Sequence, residues 1–98
     1  MAFMIYTLDK SGHEHVRDEH RAAHYDHLQA HQSRLIASGG LRDEGDVNII
    51  GGAIFFDTDS REEVDRFVAE DPFTKAGLFE TTHITRWRAA FIEGRSVR

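Results

Sequence analysis

The sequence predicts an α+β fold, a ferredoxin-like βαββαβ unit with a four-stranded antiparallel sheet and two helices on one face. Three observations predict it. Short apolar or alternating stretches carry the two-residue period of strands, and two longer stretches carry helical spacing. Their order along the chain is β-α-β-β-α-β. The length, 98 residues, suits one such unit, taken as residues 1–98, with no internal repeat or low-complexity tail.

Each element has a local reason. Phe3 to Leu8 is apolar on both alternating faces and reads as a strand, closed by the turn residues Asp9-Lys10-Ser11-Gly12. From Val16 to Ile36 there is no Gly and no Pro, so a helix is expected there. Leu35 to Leu41 continues as a short apolar stretch around Gly39-Gly40, and Asp43-Glu44-Gly45-Asp46 is a hairpin-turn candidate. Val47 to Asp57 reads as a strand with Gly51-Gly52 at its centre. Ser60 and Glu63 have capping-box spacing ahead of a helix whose apolar face is Val64, Phe67 and Val68. Pro72 stops that helix, because the residue before a proline disfavours the α region. A short turn of helix follows from Phe73 towards Phe79, with Gly77 near its end, and Thr82 to Ile92 is the last strand.

Composition narrows the function. Twelve Lys and Arg against 17 Asp and Glu leave a formal charge of −5. Seven histidines make the sign of that charge depend on imidazole titration near neutral pH. A net acidic chain without a basic cluster is a poor nucleic-acid binder. No apolar run approaches the ~20 residues of a membrane-spanning helix, and no secretory signal is read at the N-terminus. With no cysteine, disulfides, thiolate catalysis and cysteine-ligated metals are excluded, which fits a cytoplasmic setting.

The strands pose a packing problem. Phe3 and Ile5 alternate with Met4, Tyr6 and Leu8; Ile54 and Phe56 alternate with Ala53 and Phe55; Ile84 and Ile92 alternate with Trp87 and Phe91. Strands apolar on both faces are covered on both faces. Two helices cover one face, so a homodimer with sheets packed face to face is expected.

Four histidines, His20, His24, His27 and His31, follow one another at helical spacing and fall on one stripe about 60° wide. Three readings apply to them. They could ligate a metal, as a His pair one turn apart can; they could hydrogen-bond and pack at the edge of the core; or one of them could move a proton near neutral pH. No metal and no cofactor is expected, since the stripe lacks companion carboxylates and the chain lacks cysteine. His13, His15 and His83 read as surface residues. Asp71, just before Pro72, suits an N-cap of the short helix, and its carboxylate could equally accept from an imidazole.

These residues resemble the YCII-related (YciI-like) family of the dimeric α/β-barrel superfamily, over nearly the whole chain. The resemblance is carried by Arg21-Ala22-Ala23-His24-Tyr25-Asp26-His27-Leu28, by Gly39-Gly40, by Asp71-Pro72-Phe73-Thr74-Lys75-Ala76-Gly77-Leu78-Phe79 and by Thr85-Arg86-Trp87. It implies a ferredoxin-like protomer, a dimeric α/β barrel, a small-molecule pocket and a His–Asp pair, here His24 and Asp71. The chain departs from the family in having Gly39-Gly40 where Gly-Pro is frequent, and in its shorter hairpin. Relatives include lactone isomerases and a dehydrochlorinase type. The implied chemistry is proton transfer, for isomerisation or elimination on an anionic cyclic or aromatic compound. Tyr6, Phe55 and Phe73 are the expected pocket walls. Arg21, or Arg86 and Arg88, are candidates to hold a substrate carboxylate. The alternative is a dimeric module that binds a small metabolite without turning it over.

Overall fold

The computed structural model describes residues 1–98. It is a ferredoxin-like α+β fold. Strand β1 is Ala2–Asp9, helix α1 Glu14–Ala30, β2 Leu35–Arg42, β3 Ile49–Phe56, α2 Arg61–Glu70, α3 Pro72–Lys75 and β4 Phe79–Trp87. The sheet order is β2-β3-β1-β4, and every neighbouring pair is antiparallel.

The register sorts side chains onto two faces. Ile5 pairs with Ile54 and with Ile84, and Phe3 pairs with Phe56. These residues meet Leu28 of α1 and Val64 and Phe67 of α2 in one buried cluster. Burying each phenylalanine stabilises the fold by about 1.5–3 kcal/mol. The other face carries Met4, Tyr6, Leu8, Phe55 and Trp87, all half-buried; Phe55 and Trp87 meet edge to face at 4.6 Å. No helix lies on this side, which is why only 13 of 98 residues are fully buried. No helix is long and apolar enough to cross a membrane.

Several boundaries differ from the sequence reading. The first helix ends at Ala30 rather than Ile36, and a 3-10 turn over Gln32–Arg34 leads straight into β2. Leu35 to Arg42 has helix-compatible residues in its first half, but backbone pairing with β3 wins. The third strand begins at Ile49 instead of Val47, because Asp43 ties the hairpin: its carboxylate accepts from the Val47 N–H at 2.9 Å. That bond is the main cause holding the Asp43 carboxyl below its ordinary value.

The last strand runs over Phe79–Trp87 rather than Thr82 to Ile92. Its partner sets the end: Trp87 pairs with Ala2, where β1 begins, so no backbone remains to pair with. Phe91 and Ile92 instead form a separate hairpin, β5 Phe91–Ile92 with β6 Arg95–Ser96. Glu93 and Gly94, both at positive φ, make its turn.

The short elements that frame the site are capped as read. Ser60 accepts from the Glu63 N–H at 3.1 Å. The reciprocal capping-box contact is absent. The Glu63 carboxylate accepts from the Thr58 hydroxyl and pairs with Arg34, and the Thr58 bond is the first cause of its lowered pKa. At the next junction Asp71 accepts from the Phe73 N–H at 2.9 Å, with Pro72 in the first helical position of α3.

Candidate active site

Between α1, α3 and the β2–β3–β1 surface lies a cavity of about 100 Å³. Its helix side is Arg17, Arg21, His24 and Leu28, which follow at one-turn spacing along α1. Its sheet side is largely glycine backbone and small side chains: Thr7, Ser38, Gly40 and Gly52 among them. The bulge at Ile50, where Leu41 pairs with Gly51 but Arg42 with Ile49, lets Ile49 lean over Gly40 and close one wall. A cavity of about 150 Å³ holds benzene; at about 100 Å³ this one is smaller, so a ring bound here would fill it and extend into its mouth.

At the wall of this cavity His24 meets Asp71. The imidazole Nδ1–H donates to both carboxylate oxygens, at 2.9 and 3.1 Å. A carboxylate has only acceptors, so Nδ1 carries the hydrogen, and in the neutral imidazole Nε2 is left with the lone pair. The two side chains are 15% and 5% exposed. Asp71 therefore accepts from the first turn of α3 and from His24 at once. Phe73, held by the same cap, stacks on His24 with ring centroids 4.2 Å apart and planes at 18°. That stack limits rotation of the imidazole.

Arg17 sits over the same Phe73 ring, 4.6 Å from its centroid. It is itself held by a two-point bond to Asp9, at 2.8 and 3.0 Å. Arg21 is looser. It bonds Asp18 within the same helix and is 45% exposed. Of the two cations on the cavity, Arg21 is thus the one more available to an anion.

The other histidines are engaged elsewhere. His27 Nε2–H donates to the Phe67 carbonyl at 2.8 Å, and His31 Nδ1–H to the His27 carbonyl at 2.9 Å. Both rings pack on Phe67. His20 is near Glu19, at 3.9 Å. His83 lies exposed on the open sheet face, 5.9 Å from Tyr6. No group of three or more His, Asp or Glu converges as metal ligands would.

Two expected pocket walls are elsewhere. Tyr6 and Phe55 belong to the open face of the sheet, because the two-residue alternation that sends Ile5 and Ile54 to the helices sends them away. Phe73 does line the cavity. Arg86 is over Phe3, 5.0 Å from its ring, and Arg88 lies beyond β4; neither lines the cavity. Arg17 and Thr74 line it and were missed. A signal for Arg17 exists in the sequence: Arg17, Arg21, His24 and Leu28 form a second helical stripe that crosses the histidine stripe at His24. Thr74 carries no such signal, since its place depends on how α3 docks.

A family model described as the YCII-related domain matches residues 1–88. Among solved structures the chain is similar to the 5-chloro-2-hydroxyhydroquinone dehydrochlorinase of Burkholderia phenoliruptrix AC1100, solved in complex with 2,5-dihydroxybenzoquinone. The identity is 36% and the TM-score 0.86, over 90% of this chain and 94% of that one. It also shares its fold with a protein of Agrobacterium tumefaciens, at 17% identity and a TM-score of 0.54, covering 95% of this chain and 98% of that chain. No curated protein matches.

Proposed function

Because this chain belongs to the YCII-related family, we propose that it is a small-molecule enzyme whose His24–Asp71 pair moves a proton on an anionic, hydroxylated ring. The observation that carries this reading is the His24–Asp71 bond at the wall of a cavity of about 100 Å³. With Nδ1–H committed to Asp71, Nε2 is the atom that accepts a proton. Asp71 orients the ring and stabilises the imidazolium that forms, and Phe73 holds its plane.

The likeness to the dehydrochlorinase suggests the substrate class. Hydroxylated quinones are vinylogous acids and are anionic near neutral pH, which suits Arg21 at the cavity edge. For a chlorinated hydroxyhydroquinone, Nε2 takes a proton from a ring hydroxyl and returns it to the chlorine-bearing carbon, giving a keto tautomer in which that carbon holds both H and Cl. Nε2 then takes the proton of a second hydroxyl, the O–H pair moves through the ring to form a second C=O and a new C=C, and chloride leaves with the C–Cl pair. Net loss of HCl leaves a hydroxyquinone and needs no oxidant or cofactor. For an isomerisation, the same proton returns at another ring atom.

The direct test is incubation with 5-chloro-2-hydroxyhydroquinone while free chloride is measured. Chloride release by the wild type, reduced about 100-fold or more in His24→Gln, is the expected result. Binding of 2,5-dihydroxybenzoquinone without any chloride release would leave a binding module in place of an enzyme.

We further propose that the working unit is a homodimer, with the open sheet faces packed together. Two observations support it. The face of Met4, Tyr6, Leu8, Phe55 and Trp87 is apolar and has no covering helix. A folded monomer of 11.2 kDa exposes about 5,700 Å², whereas this chain alone exposes 6436 Å². Sedimentation equilibrium at micromolar concentration is expected to give twice the chain mass, and Phe55→Glu to shift it towards one chain. A wild type that sediments as a stable monomer removes the proposal. The absence of cysteine is compatible with a cytoplasmic setting.

A further inference from the structure

One buried polar atom beside the cavity is left unused by the acid–base reading. Thr74 lines the cavity from α3. Its Oγ1 is the single buried side-chain polar atom in the chain without a hydrogen-bond partner. A helical threonine ordinarily relieves this by donating to the carbonyl three or four residues back; here it does not. Nearby acceptors already serve other donors. Asp71 Oδ1 accepts from Phe73 N–H and from His24, Oδ2 accepts from His24, and the Asp71 carbonyl accepts from Lys75 N–H. A buried hydroxyl left unpaired costs free energy in the empty protein, so its retention at the cavity wall calls for a partner that arrives from outside the chain.

We propose that Thr74 is a specificity-determining residue whose hydroxyl pairs with an oxygen of the bound ring. This rests on the reading of the cavity as a site for hydroxylated rings. Asp71 and Thr74 stand three residues apart across the single turn of α3, so an oxygen held by Thr74 lies on the His24–Asp71 side of the cavity. A hydroxyl can donate to a quinone oxygen or accept from a ring O–H. It therefore suits the ring both before and after the proton moves. Because the hydroxyl is already desolvated, a ring without an oxygen at that place gains nothing from it and leaves it unpaired. This is the arrangement that discriminates most strongly between a hydroxylated ligand and its deoxy analogue.

The experiment compares wild type, Thr74→Val and Thr74→Ser. Each is titrated with 2,5-dihydroxybenzoquinone by calorimetry and melted without ligand. Valine replaces the hydroxyl by a methyl at nearly the same volume, and serine keeps the hydroxyl. The expected result is affinity weakened about 10- to 100-fold in Thr74→Val, and within about threefold of wild type in Thr74→Ser. The empty Thr74→Val protein should melt no lower than wild type, because the lost hydroxyl had no partner there. Equal affinity in wild type and Thr74→Val overturns the assignment of Thr74 alone. So does a Thr74→Val protein that melts well below wild type, since the hydroxyl would then support the fold. A wild type that fails to bind the probe overturns the hydroxylated-ring reading, and this inference with it.

Discussion

Asp71→Asn is expected to lower turnover about 100- to 10,000-fold while leaving the fold nearly as stable as the wild type. The magnitude is that of the equivalent change in other His–carboxylate pairs. The two jobs of Asp71 separate in this variant. Asparagine keeps an oxygen for the Phe73 N–H, so α3 stays capped. It loses the negative charge beside His24. Its oxygen still accepts from Nδ1–H at the Oδ1 place, but its amide N–H groups stand where the second carboxylate oxygen was, 3.1 Å from Nδ1, and weaken the preference for the Nδ1–H tautomer. The population with a free Nε2 falls, and the imidazolium that forms has no carboxylate beside it.

Asp71→Ala, by contrast, removes the cap, at a cost of about 0.5–2 kcal/mol. It also leaves the half-buried His24 N–H unpaired, at about 1 kcal/mol. The checks are chloride release, urea unfolding and the ¹⁵N chemical shifts of His24, which report the tautomer. An Asp71→Asn protein that turns over within threefold of wild type would sink the dyad, whatever its stability.

Gly51→Ala is expected to have the largest effect on the fold, about 4 kcal/mol or outright failure to fold. A Cβ at Gly51 would lie 2.0 Å from the Thr7 carbonyl oxygen, in the backbone of the neighbouring strand. Nothing there can yield except the β1–β3 ladder itself, through which the whole sheet is joined. Effects of that size are exceptional for one methyl group and belong to just this kind of backbone collision. Gly39→Ala is the control. It adds the same atom on the adjacent strand, where nothing lies within 4 Å, and should change stability by no more than about 0.5 kcal/mol. Urea midpoints of the two variants decide the matter. Equal midpoints would mean that β1 and β3 are not so closely apposed in solution. Gly51 also lines the cavity, so the position that permits the ladder also shapes the space for a ligand.

Much of this was legible in the residues. The β-α-β-β-α-β order, the Ser60 cap and the apolar stripe Val64, Phe67 and Val68 all rest on contacts within a turn or two of the chain. So does the Asp71–Phe73 cap. The overrun of the first helix had a different cause. The stretch from Gln32 to Ile36 is acceptable to a helix, and only pairing with β3 decides otherwise. The end of β4 was likewise set by where β1 begins. Alternation showed that the strands have two apolar faces, but not which face α1 and α2 cover, and so Tyr6 and Phe55 were assigned to the wrong side.

The sequence by itself determined the order of the main elements, the Ser60 and Asp71 caps and the histidine stripe through His24, because these follow from periodicities of two and 3.6 residues acting over short distances. The tertiary structure alone decided that His24 and Asp71, 47 residues apart, share a hydrogen bond. It alone made Arg17 and Thr74 walls of the same cavity and left the Thr74 hydroxyl without a partner. Such contacts depend on how helices dock on a sheet, and no local pattern of side chains encodes the distance between elements that far apart in the chain.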